Sequence, residues 1–339
     1  MIDDDQVFPN LENVALSGKD IQMIFRGNFP RHIFGRLRRL EVVHDDAAAG
    51  FPIGLLETLH NLETLHLSCT SYKEIFSNEG CLENHVGVSK LARIKSLQLI
   101  ELNHLIKYLL KQHSQLDSVF QNLEFLSLNY CRNLLSLLPL SSSVSFGNLT
   151  HLVVFSCKKL INLVPSSVAK SLGRLVTLSV SGCSAMTQVV VSCDQRDSDI
   201  AAANLKEEIV FSKLRYMALL DLENLTSFCF GIVDYTLKFP SLEDLSVTGC
   251  RNMKIFTTGD LITPKRVNVW YSESMCRWDN DLNRTIQHLH QEKVWFHKQL
   301  TITCLHIKNL AWAFLLMRTP FFLPSAARGV VILLDHVLI

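Results

Sequence analysis

Three cysteines, Cys131, Cys157 and Cys183, lie 26 residues apart. Thiols at that spacing could form disulfides or share a soft metal ion if the chain coiled back on itself once per interval, because adjacent strands lie about 4.8 Å apart. Metal sites, however, favour short spacings such as C-x-x-C or paired histidines. The pattern better suits a small buried side chain that hydrogen-bonds a turn backbone, at a position where many repeats place asparagine. Cys276, His288, His290 and His297 form a second group near the end. His288 and His290 are two apart and share no helix face, so surface histidines are expected. Asn148, Asn224 and Asn283 open N-x-T sequons, which matter only in a secreted chain. The sequence contains no G-x-G-x-x-G, H-E-x-x-H or G-x-S-x-G. An enzyme reading therefore has no residue to stand on, and no catalytic, metal or cofactor-binding residue is assigned.

The cysteines belong to a longer phrase. Phe120 to Leu134 reads FQNLEFLSLNYCRNL, with Leu123, Leu126, Leu128, Cys131 and Leu134. That is L-x-x-L-x-L-x-x-C-x-L, the pattern of a leucine-rich repeat. It returns as Leu149, Leu152, Val154, Cys157 and Leu160, as Leu175, Leu178, Val180, Cys183 and Met186, and as Leu242, Leu245, Val247, Cys250 and Met253. Less regular copies put the first leucine at 11, 37, 62, 94 and 214. In the third copy Cys69 falls one place early and Thr70 takes its position. A tenth copy has Arg266 where the first leucine should be, followed by Val269 and Tyr271. Steps between copies run from 24 to 39 residues. The two longest contain expected insertions near 71–90 and 192–208; the second is polar and suits a solvated loop.

The expected fold class is α/β: a leucine-rich-repeat solenoid of about ten irregular repeats. Each x-L-x-L-x core makes a short strand, and stacked strands form a curved parallel sheet on the concave side. Loops, 3₁₀ turns and short helices return the chain along the convex side. Phe8, Phe34, Phe120, Phe146, Phe211 and Phe239 recur three residues before the first leucine and are expected to stack as a buried aromatic spine. The solenoid is assigned to 1–275. A capping helix follows at 276–300, with Leu282, Ile286, Leu289 and Trp295 on one side. Residues 301–339 form a hydrophobic tail outside the repeat pattern. Its apolar runs are too short and interrupted for a membrane span, which needs about 20 residues.

The chain has 339 residues, is 48% hydrophobic and carries a formal net charge of +1. A charged fraction of 19% suits a folded core rather than disorder. The near-zero balance argues against nucleic acid as the main partner. The acidic start MIDDDQVF has no apolar leader, and the ten cysteines fall mostly one per repeat, so a reducing, cytoplasmic setting is expected.

With chemistry absent, the side chains pointing out of the concave sheet carry the functional reading. The candidates are Phe125, Ser127, Asn129, His151, Val153, Phe155, Tyr216, Leu220 and Asp244. Phe125, Val153, Phe155, Tyr216 and Leu220 are expected to face solvent as an apolar, aromatic patch, the usual mark of a protein contact.

Phrases such as FGNLTHLVVFSCKKLINLVPSSVAKSL, FPSLEDLSVTGCRNMKIF and TPKRVNVW resemble the C-terminal repeats of plant intracellular immune receptors. These are the coiled-coil, nucleotide-binding, leucine-rich-repeat disease-resistance proteins. The resemblance runs from about Phe8 to about Gln299. It implies recognition of a pathogen effector or a guarded host protein, and restraint of a nucleotide-binding module. ATP or ADP is implied only for that module. No G-x-x-x-x-G-K-[ST] loop occurs here, since Gly18-Lys19 is followed by Asp20, so no cofactor is assigned to this chain. Other classes remain open: a secreted or receptor-type repeat protein, a substrate adaptor, and a truncated receptor fragment without independent function.

Overall fold

A computed structural model describes residues 11–25, 34–46, 48–56, 58–77, 94–109, 120–142, 144–192, 207–230, 235–272 and 274–292. Phe8, His297, Trp295 and the 301–339 tail lie outside the described residues.

Ten short strands, one from each copy of the phrase, lie side by side in sequence order. They are β1 (Asn13–Ser17), β2 (Arg39–Val43), β3 (Thr64–Ser68), β4 (Ser96–Ile100), β5 (Phe125–Asn129), β6 (His151–Phe155), β7 (Thr177–Ser181), β8 (Tyr216–Leu220), β9 (Asp244–Ser246) and β10 (Asn268–Trp270). All nine junctions are parallel. An antiparallel β11 (Cys276–Arg277) pairs with β10 and covers its outer edge. The register brings equivalent positions together without slippage: Leu97, Leu126, Leu152, Leu178 and Met217 form one row. Period-two alternation puts this row and its companion, Leu99 to Leu219, on one face, where all are buried.

A repeat cannot close a core alone, and here one continuous apolar cluster runs from Leu11 to Leu289. Phe34, Phe120, Phe146, Phe211 and Phe239 are buried as expected. The spine is richer than the motif showed. Phe51, Phe76, Phe120 and Phe146 contact edge to face or tilted, with ring centres 6.1–6.5 Å apart. A second stack joins Phe211, Phe228, Phe239 and Phe256 at 5.0–6.0 Å.

Three details differ from the pattern. Arg266 is exposed, and its neighbour Val267 fills the core position with no exposed surface. Tyr72, Ile75 and Phe76, in the stretch expected to be inserted, are buried, and Phe76–Ser77 pairs with Phe51–Pro52. The return segments hold few helices and many short strands, including the parallel set Val164–Pro165, Gln188–Val191 and Ser227–Phe230.

At the far end the helix Leu282–Gln291 buries Leu282, Ile286 and Leu289 in the common core. Asp281 caps it by accepting from the Arg284 amide at 2.8 Å. Asn283 Oδ1 accepts from the amides of Phe256 and Thr257 at 3.1 and 3.0 Å, tying the helix to the preceding turn.

The open face of the long sheet and its rim

On the sheet face away from the core, the register defines three rows. The first contains Ser96, Phe125, His151, Thr177, Tyr216 and Asp244; the middle one Gln98, Ser127, Val153, Ser179 and Ala218; the third Ile100, Asn129, Phe155, Ser181 and Leu220. All nine candidate residues therefore fall on one face. They do not all reach solvent. Val153, Ser127 and Asn129 are 1%, 3% and 4% exposed. The expectation that Val153 faces solvent is thus corrected. Strands on both sides lie about 4.8 Å away, and larger side chains in the outer rows close over a middle residue. Phe125 and Leu220 pack on Val153 and on Ala218, which the sequence reading had not singled out. The patch is an apolar floor, with Phe125, His151, Tyr216, Phe155 and Leu220 half-buried around it.

His151 is held by Thr150, whose hydroxyl lies 2.8 Å from Nδ1, and its ring centre is 6.2 Å from that of Phe125. Burial lowers its pKa from the ordinary histidine value, which favours the neutral ring on an apolar surface. Arg215 lies over the Tyr216 ring, 5.5 Å from its centre, while bonding Glu243. Asp244 is engaged already: its Oδ1 accepts from Trp270 Nε1 at 2.8 Å and Asn268 Nδ2 at 3.1 Å. On this face the deeply buried Asn129 Oδ1 and Thr177 Oγ1 have no hydrogen-bond partner among the described residues.

Past the strands the chain turns sharply at one repeated position. His44, Cys69, Glu101, Tyr130, Ser156 and Asp221 have φ between 52° and 57°, and Gly182 and Gly249 have φ of 67° and 76°. Each is the residue that ends the strand row. All of these amides except that of Gly249 donate to the next repeat, as from Tyr130 to the Phe155 carbonyl at 2.9 Å and from Ser156 to Ser181 at 2.8 Å. The left-handed turn aims that hydrogen bond, which explains its recurrence despite the cost of about 1–3 kcal/mol for a residue with a Cβ. It also places Tyr130 at the rim, edge-on to Phe155 with ring centres 5.3 Å apart. Tyr130 was not among the expected contacts; its signal was the fixed place directly before the cysteine.

The cysteines take the backbone role expected of them. Cys250 Sγ donates to the Leu219 carbonyl at 3.1 Å, and Cys183 to Ser181 at 3.6 Å. Cys157 lies between Cys131 and Cys183, and these neighbours together with burial raise its pKa. Burial pushes the Cys250 thiol up to about 12. Thr70, standing in for cysteine, is buried, while Cys69 turns outward toward Glu101 at 3.7 Å. Two sequon asparagines also serve the rim: Asn148 and Asn224 Nδ2 donate to the carbonyls of Gln121 and Ser184, each at 2.8 Å. Among the later group, His288 Nδ1 lies 2.9 Å from Asp279, whose other partner is Arg277, and Cys276 is exposed.

Ten in-register strands from a repeated leucine phrase define a leucine-rich-repeat solenoid. The family described as plant disease resistance protein RPS2-like, leucine-rich repeats, matches residues 10–144 and 141–259. The chain belongs to that family. No curated protein matches it. Among solved structures it is similar to an internalin from Listeria monocytogenes, at 12% identity and a TM-score of 0.24, over 68% of this chain and 77% of that one.

Proposed function

We propose that this chain is a non-catalytic protein-recognition module that binds its partner on the open face of the long sheet. The observation that carries this reading is the apolar floor of Val153 and Ala218, rimmed by Phe125, Phe155, Tyr216 and Leu220. An apolar floor ringed by half-exposed aromatic side chains suits the desolvated centre of an interface. In the family setting, the ligand is a pathogen effector or a guarded host protein, sensed in the cytoplasm. In a whole receptor the same array restrains a nucleotide-binding module. A ligand would release that restraint only by preferring one state of the receptor over the other.

The secreted reading is less well supported, because Asn148 and Asn224 spend an amide hydrogen on inter-repeat bonds where a glycan would attach. Among the described residues, no helix is long and apolar enough to cross a membrane.

A binding screen with the purified chain, followed by the double variant Phe155→Ala, Tyr216→Ala, tests the face. Affinity for a partner so found is expected to fall about 30-fold or more, as for loss of a central aromatic anchor. Unchanged affinity, with melting temperature preserved, removes the patch from the reading.

A further inference from the structure

The rim beside the central strands carries a charge pattern that the chain's balance of +1 conceals. Arg132 and Lys158 occupy the same phase in consecutive repeats, each directly after a stacked core cysteine. Lys159 follows, and Lys107 lies one repeat earlier. All four are exposed. None forms an ion pair with another described residue. Rung-to-rung hydrogen bonds fix their backbone: the Arg132 amide donates to Asn103 Oδ1, Asn133 Nδ2 to the Asn103 carbonyl, and the Ala185 amide to the Lys158 carbonyl. The corresponding rim segments 130–136, 156–162 and 182–188 contain no Asp or Glu, and the one before them, 101–107, has Glu101 alone, at its first position. On the far side, acidic residues return at Asp221 and Glu223.

Apolar side chains flank these cations. Tyr130, 37% exposed, stands with Phe155 on the sheet side. Ile161 and Ile106, 43% and 65% exposed, stand on the other, and the Ile161 amide is bonded to the Leu135 carbonyl.

We infer that this rim is a second docking surface, and that its occupant is an acidic protein segment bearing an aromatic or aliphatic side chain. Carboxylates would meet Arg132, Lys158 and Lys159, and the apolar side chain would lie against Tyr130 and Phe155. Charge complementarity selects the acidic partner. Four cations are fewer than the 6–10 phosphate contacts of strong, salt-sensitive nucleic-acid binding. The Tyr130 and Phe155 rings are nearly perpendicular, so they do not form a pair of parallel faces for successive bases. The inference rests on the recognition reading only in taking the occupant to be a protein.

Fluorescence anisotropy on the full chain tests it. The probes are a labelled peptide of alternating Glu and Trp, its Lys–Trp counterpart, single-stranded oligothymidine and phosphatidylserine vesicles. The acidic peptide is expected to bind, more weakly as salt rises, and in preference to all the others. Arg132→Glu, Lys158→Glu, Lys159→Glu together should weaken it about tenfold, and Lys158→Arg, Lys159→Arg should leave it intact. Should the triple reversal lower the melting temperature, Lys158→Gln, Lys159→Gln replaces it, with about a threefold loss expected. The Phe125→Ala, Tyr216→Ala variant should leave this peptide's affinity unchanged. Absence of binding, indifference to the charge variants, or tighter binding of oligothymidine or vesicles overturns the inference. Loss caused by the open-face variant alone would also overturn it, while leaving the recognition reading standing.

Discussion

The first four strands and the next four of the long sheet share one interior and differ on the outside. Inward, both halves show the same two apolar rows, from Val14 and Leu16 to Met217 and Leu219. Outward, the middle row passes from Glu41, His66 and Gln98 to Ser127, Val153, Ser179 and Ala218. In the early half, His66 is nearly buried and pairs with Glu41, whose Oε1 lies 3.5 Å from Nδ1, while neither ring nitrogen makes a hydrogen bond among the described residues. In the later half an apolar floor forms instead. The scaffold therefore requires an apolar side chain at every second strand residue and leaves the outward residues free to differ between the two halves.

The comparison breaks most visibly if the two halves do not share a core. Leu65→Ala and Leu152→Ala, in equivalent and fully buried positions, should each cost about 2–5 kcal/mol in urea unfolding. A cost in one half and none in the other would separate them.

The outward rows should respond with opposite signs. Val153→Ala removes two methyl groups from a buried site and should cost about 1–2 kcal/mol. His66→Leu removes buried nitrogens that make no hydrogen bond, offset by loss of the 3.5 Å pairing with Glu41, and should stabilise by roughly a few tenths of a kcal/mol. Destabilisation by both would mean that the Glu41 pairing outweighs the cost of burying the ring nitrogens.

A smaller contrast lies at the rim. Gly182 and Ser156 are consecutive occupants of the left-handed turn, with φ of 67° and 54°. Gly182→Ala should cost about 1 kcal/mol, its new Cβ lying 3.1 Å from Ser156 Oγ. Ser156→Gly should gain a few tenths of a kcal/mol, roughly, because relief of strain is offset by greater freedom in the unfolded chain. Paired thermal melts of the two variants check the signs.

These differences mark where the fold was legible in the sequence. All ten strands formed where the leucine spacing put them, because inward rows must be apolar at every turn. The buried Thr70 at the cysteine position was readable for the same reason. Phe51, Phe76, Phe228 and Phe256 lie off the aromatic phase, so periodicity alone passed them over, although they complete both stacks. The burial of Val153 was hidden because its cover comes from strands 26 residues or more away in sequence. Spacing placed Asp244 on the open face but could not show that Trp270 and Asn268 would engage its carboxylate there. The rim cations were visible as single residues, and only the stacking of repeats gathers them.

The least of the expected effects is on pH, and it should appear in the later half of the sheet. Burial beside Phe125 lowers the pKa of His151 in the folded chain. The unfolded chain, with an ordinary value near 6.5, then binds more protons than the folded one in the window just below it. Stability contributed through His151 is therefore intact above about pH 6.5 and declines as the pH falls through it. The residue is half exposed, so solvent screening keeps the effect small. Melting temperatures of wild type and His151→Gln, compared at pH 7.5 and pH 5.5, should converge toward the acid side. A constant gap between the two would mean that the neutral ring is not what the apolar floor requires, and that His151 contributes by packing alone.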